Sequence, residues 1–265
     1  MRLEGKIAIV VGAGQGPGEG IGNGRATTLR FVQEGARVLA VDRSLAAAED
    51  TAAMAARSGE CVPFAADVTR EASLAAAVAE AERRWSRIDI LHNNVGVSLD
   101  GGDRPLLELT EEAFDRVCAI NLRGTVMACK QVIPVMRRQR TGAIVNISST
   151  AAQANYPLVA YKASKAALVA FTRQLAIENA AYGIRANVIL PGLIDTPMAV
   201  DTRARASNRT RAEVAAERDA QVPLRSRMGT AWDVANAALF LASDEAEFIT
   251  GVALPVDGGA LARIG

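Results

Sequence analysis

The sequence predicts an α/β protein with one doubly wound domain: a seven-stranded, mostly parallel sheet with helices on both faces. Three observations carry this expectation. Short apolar runs of strand length alternate with longer alanine-rich runs along all 265 residues. Most of the short runs are continuously apolar, as expected when both faces of a sheet are covered. No linker-like break or fixed-period repeat interrupts the progression, so residues 1–265 read as one unit. Strand–helix–strand units of this kind form parallel sheets with right-handed crossovers.

Taken in order, strands are expected at Ile7–Val11, Arg37–Val41, Cys61–Ala65, Ile88–His92, Ala143–Ile147, Ile184–Leu190 and Val252–Val256. Between them, helices are expected at Arg25–Gly35, Leu45–Ser58, Ser73–Trp85, Glu111–Arg137, Ala163–Ala181 and Thr230–Leu241. The stretch Ala199–Arg227 departs from the pattern. It is rich in arginine (Arg203, Arg205, Arg209, Arg211, Arg218, Arg225, Arg227) and poor in large apolar residues. It reads either as a solvated helix pair or as a substrate lid over residues 195–227 that favours an anionic group.

Composition narrows the function. Half of the residues are hydrophobic and the net charge is +1, which argues against nucleic acid or an anionic membrane surface as partner. No apolar run approaches the ~18–20 residues of a membrane span. The start of the chain leads directly into a strand without a signal-peptide pattern. Cys61, Cys118 and Cys129 lack disulfide or metal spacing and read as reduced thiols of a cytoplasmic protein. The single histidine, His92, falls in a strand and reads as a core residue, so neither a metal site nor a Ser-His-Asp triad is expected.

Two regions carry chemistry. After the first strand, the chain runs Gly12-Ala13-Gly14-Gln15-Gly16-Pro17-Gly18-Glu19-Gly20-Ile21-Gly22-Asn23-Gly24. Glycines let a backbone turn sharply and approach a pyrophosphate held at a helix N-terminus. The density of glycines fits two registers, with Gly20-Ile21-Gly22 or Gly22-Asn23-Gly24 at the turn. Asp42 ends the next strand, 18 residues past Gly24. A carboxylate there accepts hydrogen bonds from the ribose hydroxyls and repels a 2′-phosphate, which favours NAD. Arg43 beside it is the argument for NADP.

The second region is Ser148–Lys165. Tyr161 and Lys165 are four residues apart and share one face if the segment is helical. A phenol titrates near pH ~10. An ammonium one turn away is expected to lower that value and fit Tyr161 for proton transfer. Ser149, ending the preceding strand, brings a hydroxyl to the same point, with Ser148 as the alternative. A Tyr-x-x-x-Lys pair alone is common on alanine-rich helices, so its context decides.

That context resembles the short-chain dehydrogenase/reductase family. The matching motifs are the glycine turn, Asp67-Val68, Asn93-Asn94-Val95-Gly96, Asn121, Ser149, Tyr161-x-x-x-Lys165, Pro191-Gly192 with Thr196, and Asp257-Gly258-Gly259. The resemblance implies a Rossmann fold and a catalytic set of Asn121, Ser149, Tyr161 and Lys165. Tyr161 would exchange the proton and Lys165 bind the nicotinamide ribose. Ser149 would hold the substrate oxygen, and Asn121 support a relay water. Coenzyme contacts are implied for Gly12, Gly20, Ile21, Gly22, Asp42, Arg43, Asp67, Val68, Asn93, Gly96, Tyr161, Lys165, Pro191, Gly192, Ile194 and Thr196. The chain departs from the family in its longer glycine turn, in Val95, and in the spacing of Ser149 from Tyr161.

The expected activity is NAD-dependent interconversion of a secondary alcohol and a ketone. An NADP-dependent carbonyl or 3-ketoacyl reductase and a catalytically silent dinucleotide-binding regulator are the alternatives. The segment Thr250–Ile264 resembles a subunit contact, so a homotetramer is expected.

Overall fold

A computed structural model describes residues 1–263. Ile264, the last residue of the expected subunit contact, lies outside the described residues.

Strands β1 (Ile7–Val11), β2 (Arg37–Asp42), β3 (Cys61–Ala65), β4 (Ile90–Asn93), β5 (Gly142–Ile147), β6 (Ile184–Pro191) and β9 (Ala253–Val256) form one sheet in the order β3-β2-β1-β4-β5-β6-β9. Every pairing in it is parallel. Strand β1 shows why these runs are continuously apolar. Ile7, Ile9 and Val11 face one layer, with Leu74 of α3 (Glu71–Trp85), Val132 of α5 (Gly124–Gln139) and Leu175 of α6 (Val159–Asn179). Ala8 and Val10 face the other, with Phe31 of α1 (Asn23–Gln33) and Val234 and Leu239 of α9 (Ala231–Ala242). Both sets of side chains leave water, so neither position tolerates a polar residue. Pro63 sits in β3, the outermost strand, where its missing N–H costs no ladder bond to a further neighbour.

Strand order reverses between β1 and β4, which opens a crevice at the carboxyl ends of these strands. Gly12-Ala13 and Asn93-Asn94-Val95-Gly96 lie at that edge.

The structure corrects two expectations and gives the arginine-rich segment the helix pair expected as one of its two readings. The helix expected over Glu111–Arg137 is α4 (Glu111–Cys118) and α5, joined by a π-helical segment, Ala119–Arg123, that contains Asn121. Helix α6, expected from Ala163, begins at Val159, so Tyr161 lies in its first turn. The arginine-rich segment contains α7 (Thr202–Ser207) and α8 (Arg211–Asp219) over a small core of Val200, Ala204, Val214, Val222 and Met228. A two-stranded ribbon, β7 (Ile194–Asp195) with β8 (Gly229–Thr230), ties both ends of that segment together. Helix α2 (Leu45–Ala55) completes the chain order.

Candidate active site

The glycine-rich turn is resolved by packing. Gly12 has φ +83°, and Gly22 is the N-cap of α1 without a side-chain cap. A Cβ on Gly24 would lie 1.9 Å from the Gly12 carbonyl oxygen and 2.6 Å from Asn94 Nδ2. Only glycine therefore lets α1 approach the end of β1, which places the register at Gly22-Asn23-Gly24. Ile21 instead packs its side chain against Ala26, Ala231, Ala235 and Trp232, anchoring the loop. Gln15 staples the extra residues, donating to the Gly20 carbonyl (3.1 Å) and accepting from Gly22 N–H (2.7 Å). The loop tip meets the arginine-rich segment, where Glu19 N–H donates to Asp201 Oδ1 at 3.1 Å.

These features fit a dinucleotide. The first turn of α1 contains no acidic residue and no side-chain cap, so its free N–H groups and positive dipole end suit a pyrophosphate. Asp42 lies beside it at the end of β2, its carboxylate accepting from Gly14 N–H and Ser44 N–H, both at 3.0 Å. Arg43 is exposed next to it. Asp67 accepts from the Thr69 N–H and hydroxyl, which holds its carboxyl below the usual range. Val68 is buried against Gly124.

Asn93 is buried within the sheet, donating to Asn146 Oδ1 at 2.9 Å. Its side chain braces β4 against β5. Asn94, a residue the motif reading did not single out, fastens the turn by donating to the Gly12 carbonyl at 3.2 Å. Gly192 packs against Asp257, where a Cβ would come within 2.6 Å. Pro191 closes β6, and its carbonyl accepts from the Thr150 hydroxyl at 3.3 Å. Ile194 is buried in the core, and Thr196 caps the segment Pro197–Asp201, accepting from Ala199 N–H at 3.2 Å.

The catalytic candidates converge. Ser148 spends its hydroxyl on the Lys165 carbonyl at 2.6 Å, locking β5 to α6. Ser149 Oγ accepts from Ala151 N–H at 3.1 Å, and its hydroxyl is near enough to the Tyr161 phenol to favour the ionised form. Lys165 is buried, its Nζ 5.7 Å from the centre of the Tyr161 ring and donating to the Ile147 carbonyl at 2.9 Å. A Cβ on Gly96 would come within 3.1 Å of that Nζ, so glycine there makes room for the amine. Asn121 is fully buried and clamps Val97 through both its N–H and its carbonyl, at 2.8 and 2.9 Å, while donating to Ser164 at 3.1 Å. The π-helical segment turns this side chain inward.

One expectation is reversed. The phenol of Tyr161 is pushed up to about 12, not down. Burial of its hydroxyl end is the largest cause, followed by Tyr156; hydrogen bonding from Ser149 and the charges of Arg203 and Arg218 act the other way. The Lys165 amine does not offset that burial, and desolvation lowers its own value to about 8. Sequence reasoning also missed Asp103. This buried carboxylate accepts from the N–H groups of Ala160 (3.1 Å) and Tyr161 (2.7 Å), capping α6 from a distant loop. Its signal in the sequence was only a polar residue in a glycine-containing stretch. Lys162 adds a second tie, donating to the Ala151 carbonyl at 3.0 Å.

A crevice at the strand-order switch, a glycine turn and a Ser/Tyr/Lys group define a nicotinamide-dependent oxidoreductase of the Rossmann type. The chain belongs to the short-chain dehydrogenase/reductase family, whose members use NAD(H) or NADP(H). Residues 16–260 match the family described as Enoyl-(Acyl carrier protein) reductase. The chain is 37% identical to the 3-oxoacyl-[acyl-carrier-protein] reductase FabG of Thermotoga maritima, covering 98% of this chain and 99% of the relative. It is 36% identical to the 2-(R)-hydroxypropyl-CoM dehydrogenase of Xanthobacter autotrophicus, covering 96% and 97%. The crystal structure of levodione reductase superposes with a TM-score of 0.92 at 33% identity, covering 99% and 100%. The protein is therefore an enzyme that interconverts alcohols and carbonyl compounds. No helix among the described residues is long and apolar enough to cross a membrane.

Proposed function

We propose that residues 1–265 act as one catalytic unit that reduces a ketone, or oxidises the matching secondary alcohol, with NAD(H) as the preferred coenzyme. The observation that carries this reading is the buried Lys165 amine 5.7 Å from the centre of the Tyr161 ring, with Ser149 at the end of the neighbouring strand close enough to act on the phenol. The glycine turn at Gly12, Gly22 and Gly24 holds the pyrophosphate, with Gly20 and Ile21 shaping the loop around it. Asp42 takes the adenosine ribose, and Asp67 and Val68 border the adenine. Gly96, Lys165, Pro191, Gly192, Ile194 and Thr196 border the nicotinamide end. When bound, the nicotinamide supplies or accepts the hydride.

The protein's own groups manage the oxygen and the proton. Ser149 donates to the substrate oxygen. Tyr161, with a value of about 12, keeps its proton at neutral pH and is poised as the acid for carbonyl reduction. Alcohol oxidation runs the same path backwards, Tyr161 taking the hydroxyl proton. Asn121 holds the backbone at Val97 beside the amine and so supports the route by which Lys165 refills the phenol.

The carboxylate of Asp42 supports NAD over NADP. The exposed Arg43 beside it favours the second reading, an NADP-dependent carbonyl or 3-ketoacyl reductase. Exposed Leu107, Ile177 and Phe248 support a homotetramer, and the unpaired thiols support a cytoplasmic location. Initial rates with NADH and NADPH on a panel of small ketones test the proposal. Faster turnover with NADH is expected. Turnover with NADPH alone would select the second reading, and no turnover with either would refute both.

A further inference from the structure

Of the seven arginines in the segment 199–227, Arg205, Arg225 and Arg227 are exposed to solvent, and four bear on the crevice or its neighbours. Arg209 pairs with Glu217 at 2.6 Å, and Arg211 pairs with Asp195 and Asp201. Arg203, on α7, and Arg218, on α8, form no ion pair among the described residues. Arg203 donates to the Ala199 carbonyl and, through Nη2, to the Tyr156 hydroxyl, both at 3.0 Å. The Tyr156 ring in turn leans on Tyr161, with centroids 5.5 Å apart. Arg218 keeps a buried Nε without any partner. The acids nearby are committed elsewhere: Asp195 to Arg211, and Asp100 to the Thr202 hydroxyl at 3.1 Å.

Asp195 and Glu217 act on Arg218 from beyond ion-pair distance and are each paired with another arginine, so among the described residues two guanidinium charges near Tyr161 lack an ion-pair partner of their own. Both act on the Tyr161 hydroxyl, lowering its pKa against the effect of burial. They also act on each other, since burial and then Arg203 pull the Arg218 value down to about 10. A desolvated cation beside a second cation is costly when no counter-charge is supplied. A guanidinium offers paired N–H donors whose geometry matches carboxylate, sulfonate or phosphate oxygens.

We propose that Arg203 and Arg218, with the Tyr156 hydroxyl, form an anion-binding subsite beside Tyr161, and that the substrate is a small oxo or hydroxy compound carrying a carboxylate, sulfonate or phosphate. This deepens the oxidoreductase reading above and rests on it. The substrate oxygen sits between Ser149 and Tyr161, and the anionic group reaches under α7 and α8. Binding it neutralises the pair and draws the lid onto the crevice.

Matched substrates test this. Reduction of 3-oxobutanoate is compared with that of its methyl ester, and 4-oxopentanoate with its ester. 2-Oxopropanesulfonate and 3-oxobutyl phosphate separate the anion classes. In the wild type, at least one anionic ketone is expected to exceed its neutral counterpart in kcat/KM by about tenfold or more, the scale of a hydrogen bond to a charged group. In Arg203→Met and Arg218→Met that ratio is expected to fall toward one, mainly through KM, and Arg218→Lys is expected to restore part of it. Equal use of acid and ester by the wild type would overturn the subsite while leaving the oxidoreductase reading intact. So would variants in which both rates drop together and the ratio survives. A protein that reduces no carbonyl with either coenzyme would instead sink the oxidoreductase reading itself.

Discussion

Replacing Gly24 by alanine measures how closely the first turn of α1 presses on the end of β1. The new methyl would lie 1.9 Å from the Gly12 carbonyl oxygen and 2.9 Å from its carbon. Ordinary contact needs about 3.5 Å, so helix and strand must part by roughly 1.5 Å. Backbone lies on both sides of the clash and no side chain can swing away. The cost belongs at the upper end of overpacking, about 3 kcal/mol. At roughly 2–4 °C per kcal/mol for a chain of this size, Tm should fall by about 6–12 °C. The same displacement moves the N–H groups that face the pyrophosphate, so coenzyme Kd should rise at least ~10-fold. Thermal unfolding and quenching of tryptophan fluorescence by NADH read the two effects. Gly16→Ala is the control, since nothing lies within 4 Å of its new methyl. Gly20→Ala meets nothing closer than 3.8 Å but carries φ +82°, which costs about 1–2 kcal/mol. The expected order of damage is Gly24, then Gly20, then Gly16. A Gly24→Ala protein with wild-type Tm and Kd, or one milder than Gly20→Ala, would refute the register.

Other outcomes follow from the same geometry. Ser149→Ala should lower kcat by about 10²–10³ with little change in Tm, whereas Ser148→Ala should lose about 1 kcal/mol of stability and keep kcat within several-fold. Asp42→Ser should shift the ratio of kcat/KM for NADPH over NADH upward by at least ~10-fold, as initial rates would show. His92 is fully buried, neither ring nitrogen has a partner, and burial lowers its pKa to about 3. Its folded value lies below the unfolded one, so its stability contribution is present above pH ~6.5 and is lost as pH falls toward about 3. Each pH unit in that window costs about 1.4 kcal/mol, and His92→Leu should flatten the fall in urea-unfolding free energy between pH 6.5 and 5 by about 2 kcal/mol.

Much of this architecture was readable in the chain. Ile7–Val11 falls where its continuous apolar run places it, because a strand covered on both faces has no polar side to blur the signal; Cys61–Ala65, half-buried at the sheet edge, also falls where its apolar run places it. Tyr161, Lys165, Ser149 and Gly96 come together because β5, α6 and the β4 turn are neighbours in the strand order. The failures share a cause, which is contact between distant segments. Nothing local separates Gly20 from Gly24; only the approach of Gly12 does. No turn signal marks a stop between Glu111 and Asn121, and the π-helical step at Asn121 goes with its grip on Val97. The two-residue strands β7 and β8 are too short to leave a pattern. Helix α8 did carry a local mark, since Thr210 and Glu213 form a capping box. The direction of the Tyr161 shift was misjudged because spacing shows a neighbouring charge but not the depth of burial.

The proposed chemistry requires the Tyr161 hydroxyl to exchange the substrate proton. Tyr161→Phe removes one oxygen and leaves the ring packed against Tyr156. Turnover on the best ketone should fall by at least ~10², into the range lost with a general acid, while coenzyme Kd stays within about twofold. A variant that keeps more than a few per cent of wild-type kcat would contradict the claim.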